Sequence, residues 1–250
     1  MRVEDFGLVA YGTILNLQEE KFNRLIEDKK RGIAGEECVL IGEHKDVVTL
    51  GRRAKEENIL LPLVYLKQKG IEVFRIGRGG DVTFHNPGQL IVYPILDLDR
   101  HKLGVKDYVS LLEESVLRLL AVYGIKGERI EGATGVWIGK GTENERKICA
   151  IGVKCSHFCT MHGLALNVDN DLSGFGLINP CGFKDKGVTS MRLEIEKSDS
   201  TYFKSEESQS NVSDAGFKRL KPDMEKIKKE FLHIFFSLIF PFEEVFHLSE

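Results

Sequence analysis

RGGDVTFHNPGQLIVYPILDL, residues 78–98, decides how this chain is read. Its later half, Leu90 to Leu96, is an apolar run of strand type, and a second such run, Ile71 to Ile76, stands before it. Between the two lie Arg78, the adjacent glycines Gly79 and Gly80, Asp81, Val82, Thr83, Phe84, His85 and a Pro87-Gly88 pair. Glycine lets the backbone come close to a bulky group and take up positive φ, so the segment reads as chain arranged around a ligand. A plain hairpin with a Gly-rich turn accounts for the same residues. Two features further on favour the ligand: the loop Asn179-Pro180-Cys181-Gly182 and, between the two segments, Lys147.

Outward from that stretch the chain alternates helix and strand patterns. Residues 13–30 carry Leu15, Phe22, Leu25 and Ile26 at helical spacing and end in Lys29-Lys30-Arg31-Gly32. Cys38 to Gly42 and Val47 to Gly51 are short β-type runs with a turn between them, and Glu56 to Lys69 is a short helix interrupted at Pro62. Lys106 to Tyr123 has one apolar stripe through Leu112, Val116, Leu119 and Leu120, closed by Gly124. Gly135 to Ile138 and Lys147 to Val153 flank a polar loop as a hairpin, and Met161 to Val168 adds a strand. Residues 198–215 read as a flexible Ser-rich insertion. After Pro222, Met224, Ile227, Phe231, Ile234, Phe235 and Leu238 form one face of a last helix, which the pattern docks on the body. The expected architecture is α/β (α+β), a mixed β-sheet flanked by helices. It forms one domain over 1–250, with its core at about 33–195 and the last helix at 222–240.

Bulk composition narrows the function. At 42% hydrophobic and 29% charged residues the chain can bury a sizeable core. Its net charge of −3 gives no global field to draw in nucleic acid. No apolar run approaches the roughly 20 residues that cross a bilayer. Met1-Arg2-Val3-Glu4-Asp5 has neither the apolar core of a secretory signal nor the basic character of a transit peptide. Five cysteines make an odd count without a framework, which fits a reducing, cytoplasmic setting.

Cysteine chemistry separates by context. Cys38 and Cys149 lie in apolar runs and read as small core residues. Cys155, His157, Cys159 and His162 form a cluster in which the first three are spaced to share a strand face, but it lacks the Cys-x-x-Cys of a zinc turn, so no metal is expected. Cys181 lies in a loop, where a thiol can react, and a nearby cation would make it a thiolate. Lys147 is either a solvated surface lysine or that cation. Gly77-Arg78-Gly79-Gly80 is followed by no Gly-Lys-Ser/Thr, and neither G-x-G-x-x-G nor G-x-S-x-G occurs, so no nucleotide cofactor is expected.

Four motifs in order, RGGDVTFHNPGQLIVYPILDL, GVWIGK…KICAIGVK, TMHGLALNV and INPCGFKDKGVTSM, resemble those of the lipoyl(octanoyl) transferases, within the biotin/lipoate protein ligase superfamily. The resemblance runs from about Val39 to Met191. It implies transfer of an octanoyl group from octanoyl-acyl carrier protein to a lysine of lipoyl domains, those of 2-oxo acid dehydrogenase E2 subunits and of glycine cleavage H protein. It implies Cys181 as the acyl-thioester nucleophile and Lys147 as the lysine that lowers its pKa. Substrate contacts fall on Arg78 to His85, on Ala150, Ile151 and Gly152, and on Gly163, Leu164 and Ala165. A monomer without cofactor is expected. Asn86 stands where the family commonly has Gly, Phe84 where Tyr is common and Cys149 where Ala is common; none removes a catalytic group. An ATP-dependent ligase, a non-catalytic acyl-binding protein and a thiol hydrolase are the rival readings.

Overall fold

The computed structural model describes residues 1–179, 187–206 and 222–240. Its frame is a mixed sheet. In chain order the strands are β1 (Arg2–Val9), β2 (Cys38–His44), β6 (Gln89–Ile95), β7 (Glu128–Ile130), β8 (Ala133–Ile138), β9 (Arg146–Ser156), β10 (Cys159–Asn167) and β11 (Gly187–Val188). They lie in the order β1-β2-β6-β10-β9-β8-β7, with β11 added alongside β9. The β1–β2 and β9–β11 pairs are parallel and the others antiparallel.

Strand periodicity gives this sheet two working faces. On one, Val39, Ile41, Leu90, Val92, Leu164 and Leu166 pack against helices α3 (Val105–Val122) and α5 (Met224–Ile239) through Leu112, Val116, Phe231 and Phe235. On the other, Leu40, Ile91, Tyr93, Met161 and Ala165 meet α1 (Tyr11–Lys30) through Ile14, Phe22 and Leu25. The helices stop where the sequence says they should. Gly32 (φ 70) and Gly124 (φ 70) follow α1 and α3 in the left-handed region. Ile33 then bonds back to Asp28, and Ile125 to Leu120, closing both ends in the Schellman manner. At the start of α5 the Asp223 side chain accepts from the Lys226 N–H at 3.0 Å. No helix among the described residues is long and apolar enough to cross a membrane.

A second, smaller sheet covers part of the α1 face. Its strands β3 (Val47–Leu50), β4 (Glu72–Arg75) and β5 (Val82–His85) run in the order β4-β3-β5. Helix α2 (Leu63–Gln68) and a 3-10 turn at Glu56–Asn58 lie in the connection, with Pro62 at the α2 N-cap. The runs at 38 and 47 are strands with a bend between them, as expected, and each enters a different sheet. Three sequence expectations need correction. Val82–His85 is a strand inside the Gly-rich segment. His157 and Phe158 form a left-handed two-residue turn, so Cys155 and Cys159 stand on opposite strands of a hairpin instead of one strand face. Residues 198–206, expected in the insertion, continue helix α4 (Met191–Glu206), where Glu196 and Lys197 favour helix. The rest of that insertion, 207–215, lies outside the described residues.

Candidate active site

Between the two sheets lies a cavity of about 330 Å³. Its floor is the main sheet: Ala150, Ile151 and Gly152 of β9, with Gly163, Leu164 and Ala165 of β10. Val82, Thr83 and His85 face it from the small sheet, Arg78, Gly80 and Asp81 from the connection before β5, Tyr93 from β6 and Tyr11 from the start of α1. Of the residues expected at the substrate, Gly79 and Phe84 do not line it. Phe84 is buried against Phe175 in an edge-on contact at 6.0 Å.

Glycine permits two close approaches, between floor and roof at Gly152 and within the floor at Gly163. A Cβ on Gly152 would lie 2.8 Å from the Gly79 carbonyl oxygen, and one on Gly163 would lie 2.2 Å from that of Val92. The close approach at Gly152 is sealed by the Gly79 N–H, which donates to Val153 O at 2.8 Å. That donor is therefore committed to structure. His162, beside Gly163, takes a left-handed φ of 59, and its N–H is received by the buried Gln18 side chain of α1 at 3.0 Å.

The polar groups of the wall form a continuous network. Arg78 is 8% exposed and donates to the Thr49 carbonyl and hydroxyl at 2.8 and 2.9 Å, and to Gly79 O at 2.9 Å. Thr49 Oγ1 meets His85 Nε2 at 3.4 Å. The Gln89 amide donates to Asn167 and to Phe84 O, which turns its oxygen toward His85 Nδ1 at 2.7 Å. His85 thus carries its proton on Nδ1 and has both nitrogens engaged: it braces the loop. Asn167 in turn donates to Thr189 O at 2.9 Å. His44 donates from Nδ1 to Val9 O and accepts at Nε2 from Tyr93 at 3.0 Å. Burial pushes the pKa of His44 down to about 4, and of His85 and His162 down to about 3. Arg78 adds to the depression at His85 and His162, and Lys154 to that at His162. All three rings are neutral at physiological pH. Sequence reasoning missed Tyr11, His44, Gln89, Tyr93 and Asn167. Gln89 and Asn167 are register partners at the ends of apolar strands, and a polar residue closing each run was the available signal.

Lys147 occupies the other end. It is half-buried on β9, its amine 4.6 Å from the Trp137 ring centroid and 3.3 Å from Thr134 O. Its backbone pairs with Val188 of β11, and its carbonyl accepts the Thr189 N–H at 3.0 Å. The Thr189 hydroxyl bonds Glu194, which also receives both arms of Arg146, the neighbour of Lys147. Lys147 thus lines the cavity wall. Further along the chain, Ile178 bridges Ile59 and the Asn179 N–H donates to Asn58 O at 2.7 Å. Cys181 lies outside the described residues, as do Pro180 and Gly182. The other four cysteines are free thiols, and burial is the main cause raising the pKa of each, to about 11 at Cys38 and Cys159. Among the described residues no three His, Cys, Asp or Glu side chains group as a metal site.

Comparison with known proteins bears on this site. Residues 11–207 match the family described as "Lipoyl protein ligase A/B catalytic domain". An octanoyltransferase of Bacteroides thetaiotaomicron is 52% identical over 192 residues, 77% of this chain and 85% of that one. Octanoyltransferases of Parabacteroides distasonis and Chloroflexus aggregans are 48% and 50% identical, covering 78% and 79% of this chain and 88% and 86% of theirs. Among solved structures, a lipoate-protein ligase A bound with ATP has a TM-score of 0.60 at 16% identity, covering 96% of this chain and 86% of that one. A bipartite lipoate protein ligase of Thermoplasma acidophilum has a TM-score of 0.59 at 18% identity, with 93% and 83% covered. At those identities the two structures speak to the fold alone. The sequence relatives speak to more: the chain belongs to the octanoyltransferase family, acyltransferases built on the lipoyl protein ligase A/B catalytic domain.

Proposed function

We propose that the chain takes an octanoyl group from octanoyl-acyl carrier protein and places it on a lysine of lipoyl domains, those of 2-oxo acid dehydrogenases and of glycine cleavage H protein. The group passes through a thioester on Cys181. The observation that carries this reading is Lys147, an ammonium half-buried in the wall of a partly apolar cavity, on the strand that pairs with β11 just after the Cys181 segment. A cation beside a thiol stabilises the thiolate, which is the attacking species.

The steps balance around that pair. The Cys181 thiolate attacks the thioester carbonyl, forming its own S–C bond. The carrier's S–C bond breaks, and the departing thiolate takes a proton from Lys147. With Gly79 committed to Val153 and Gly152 paired with Gly163 in the sheet, the Gly80 N–H is the donor proposed for the oxyanion. The acceptor lysine arrives as an ammonium. It loses one proton to neutral Lys147 and another to solvent, forms its N–C bond and releases the Cys181 thiolate. A thioester already carries the activation that an amide needs, so no nucleotide enters. Burying the chain of eight carbons at about 0.8 kcal/mol per CH₂ supplies several kcal/mol of binding.

Cys181→Ser tests the reading directly. Incubated with octanoyl-acyl carrier protein, the unsubstituted protein should gain one octanoyl mass by intact-mass spectrometry, and the variant none. An adduct at the same level in the variant would place the nucleophile elsewhere.

A further inference from the structure

Four of the eleven large apolar side chains exposed among the described residues fall within six residues: Leu60 (56%), Leu63 (56%), Val64 (66%) and Tyr65 (43%). Such clustering marks an interaction surface better than scattered exposure does. Helix α2 buries only Leu66 beneath them. Their surroundings are basic. Between Arg52 and Arg75 the sequence has six basic and three acidic residues, an excess of three positive charges in a chain of net −3. Two of the acids are already paired, Glu56 with Arg75 and Glu57 with Lys55, each at 3.3 Å.

The patch is tied to the site. Leu60 N–H donates to Leu177 O at 2.9 Å, and Ile59 bridges Ile178, three residues before Cys181. Arg53 reaches from the same surface to the cavity rim, and its N–H donates to Gly80 O at 3.1 Å. We propose that Leu60, Leu63, Val64 and Tyr65, with their basic rim, dock an acidic acyl carrier protein, and that Arg53 meets the phosphate of its phosphopantetheine arm. The proposal rests on the reading of an acyl carrier protein as donor. Charge selects this occupant: the acceptor presents a lysine ammonium, which Arg53 repels, and it brings no phosphate. The apolar platform holds the carrier's body, while Arg53 guides the arm into the cavity.

Three octanoyl donors separate the parts of the claim: the carrier protein, free phosphopantetheine, and N-acetylcysteamine, which has neither protein nor phosphate. The rate of acyl-enzyme formation is read by intact-mass spectrometry on the full chain. Val64→Asp should slow loading from the carrier protein about tenfold and leave both small thioesters unchanged. Arg53→Ala should reduce the preference for the phosphopantetheine thioester over the N-acetylcysteamine thioester at least about fivefold. Raising salt should weaken loading from the carrier protein alone. Full-rate loading of Val64→Asp by the carrier protein overturns the proposal. Equal slowing with all three donors overturns it too, by pointing to damage in the cavity. So does a defect confined to transfer onto the lipoyl domain, which would make this the acceptor's face. If the unsubstituted protein is loaded by none of the donors, the donor reading itself fails and the docking proposal falls with it.

Discussion

His44, His85 and His162 share one buried cluster, His44 and His85 with ring centroids 6.2 Å apart and both close to Tyr11. Each is more basic in the unfolded chain, near 6.5, than in the fold, where the values fall to about 4, 3 and 3. The unfolded state therefore binds more protons below pH 6.5. The stability the neutral rings contribute is complete above that pH and is lost as pH falls toward the folded values. Each ring costs roughly 1.4 kcal/mol per pH unit in that window. Melting temperature should decline between pH 6.5 and 4, and His85→Gln should flatten the decline. A slope unchanged by that substitution would remove His85 from the acid response. At the other end of the cavity, Lys147→Arg keeps a cation but no usable base, so turnover should drop about a hundredfold or more. Near-normal turnover would mean that another group handles the proton. His85 was legible in the sequence because it stands alone among glycines. Trp137 under the Lys147 amine was not, because that contact depends on the β8–β9 register, which no local pattern reveals.

At the scale of elements, Gly163 decides how close β10 lies to β6. Gly163→Ala sets a methyl 2.2 Å from the Val92 carbonyl, so one strand must move. Overpacking of this kind should cost about 1–3 kcal/mol in urea unfolding and should widen the cavity floor, with lower loading by the octanoyl donor. Phe231→Ala empties a fully buried site between α5 and the sheet and should cost about 3–5 kcal/mol. Helices α1, α3 and α5 were readable because their apolar stripes and glycine ends agree. Strand β1, with Glu4, Asp5 and Gly7 among eight residues, was not. As an edge strand it buries little, and its pairing with β2 does not need an apolar face. Strand β5 was hidden for the opposite reason: its four residues sit inside a segment whose glycines already explained it as a loop.

Across the whole molecule, the mixed sheet with helices on it was readable from the alternation of elements, but the division into two sheets was not. Short runs such as Val47–Leu50 carry no mark of which neighbour they join, since sheet membership is settled by pairing far along the chain. The proposed chemistry makes one prediction at this scale. Octanoyl transfer from the carrier thioester should proceed at the same rate with and without ATP, and a requirement for ATP would return the ligase reading.

The cavity's two walls differ in kind. The lower one belongs to β6, β10 and β9, each flanked by strands on both sides, while the upper one hangs on the short ladder of β3 with β5. Amide protons of the long central strands should be the last to trade with deuterated water, and those of Val82 to His85 should trade sooner. An acyl group seated between them would then register as slowed exchange almost wholly in the upper wall, so that occupancy becomes readable from a handful of backbone amides without following any turnover.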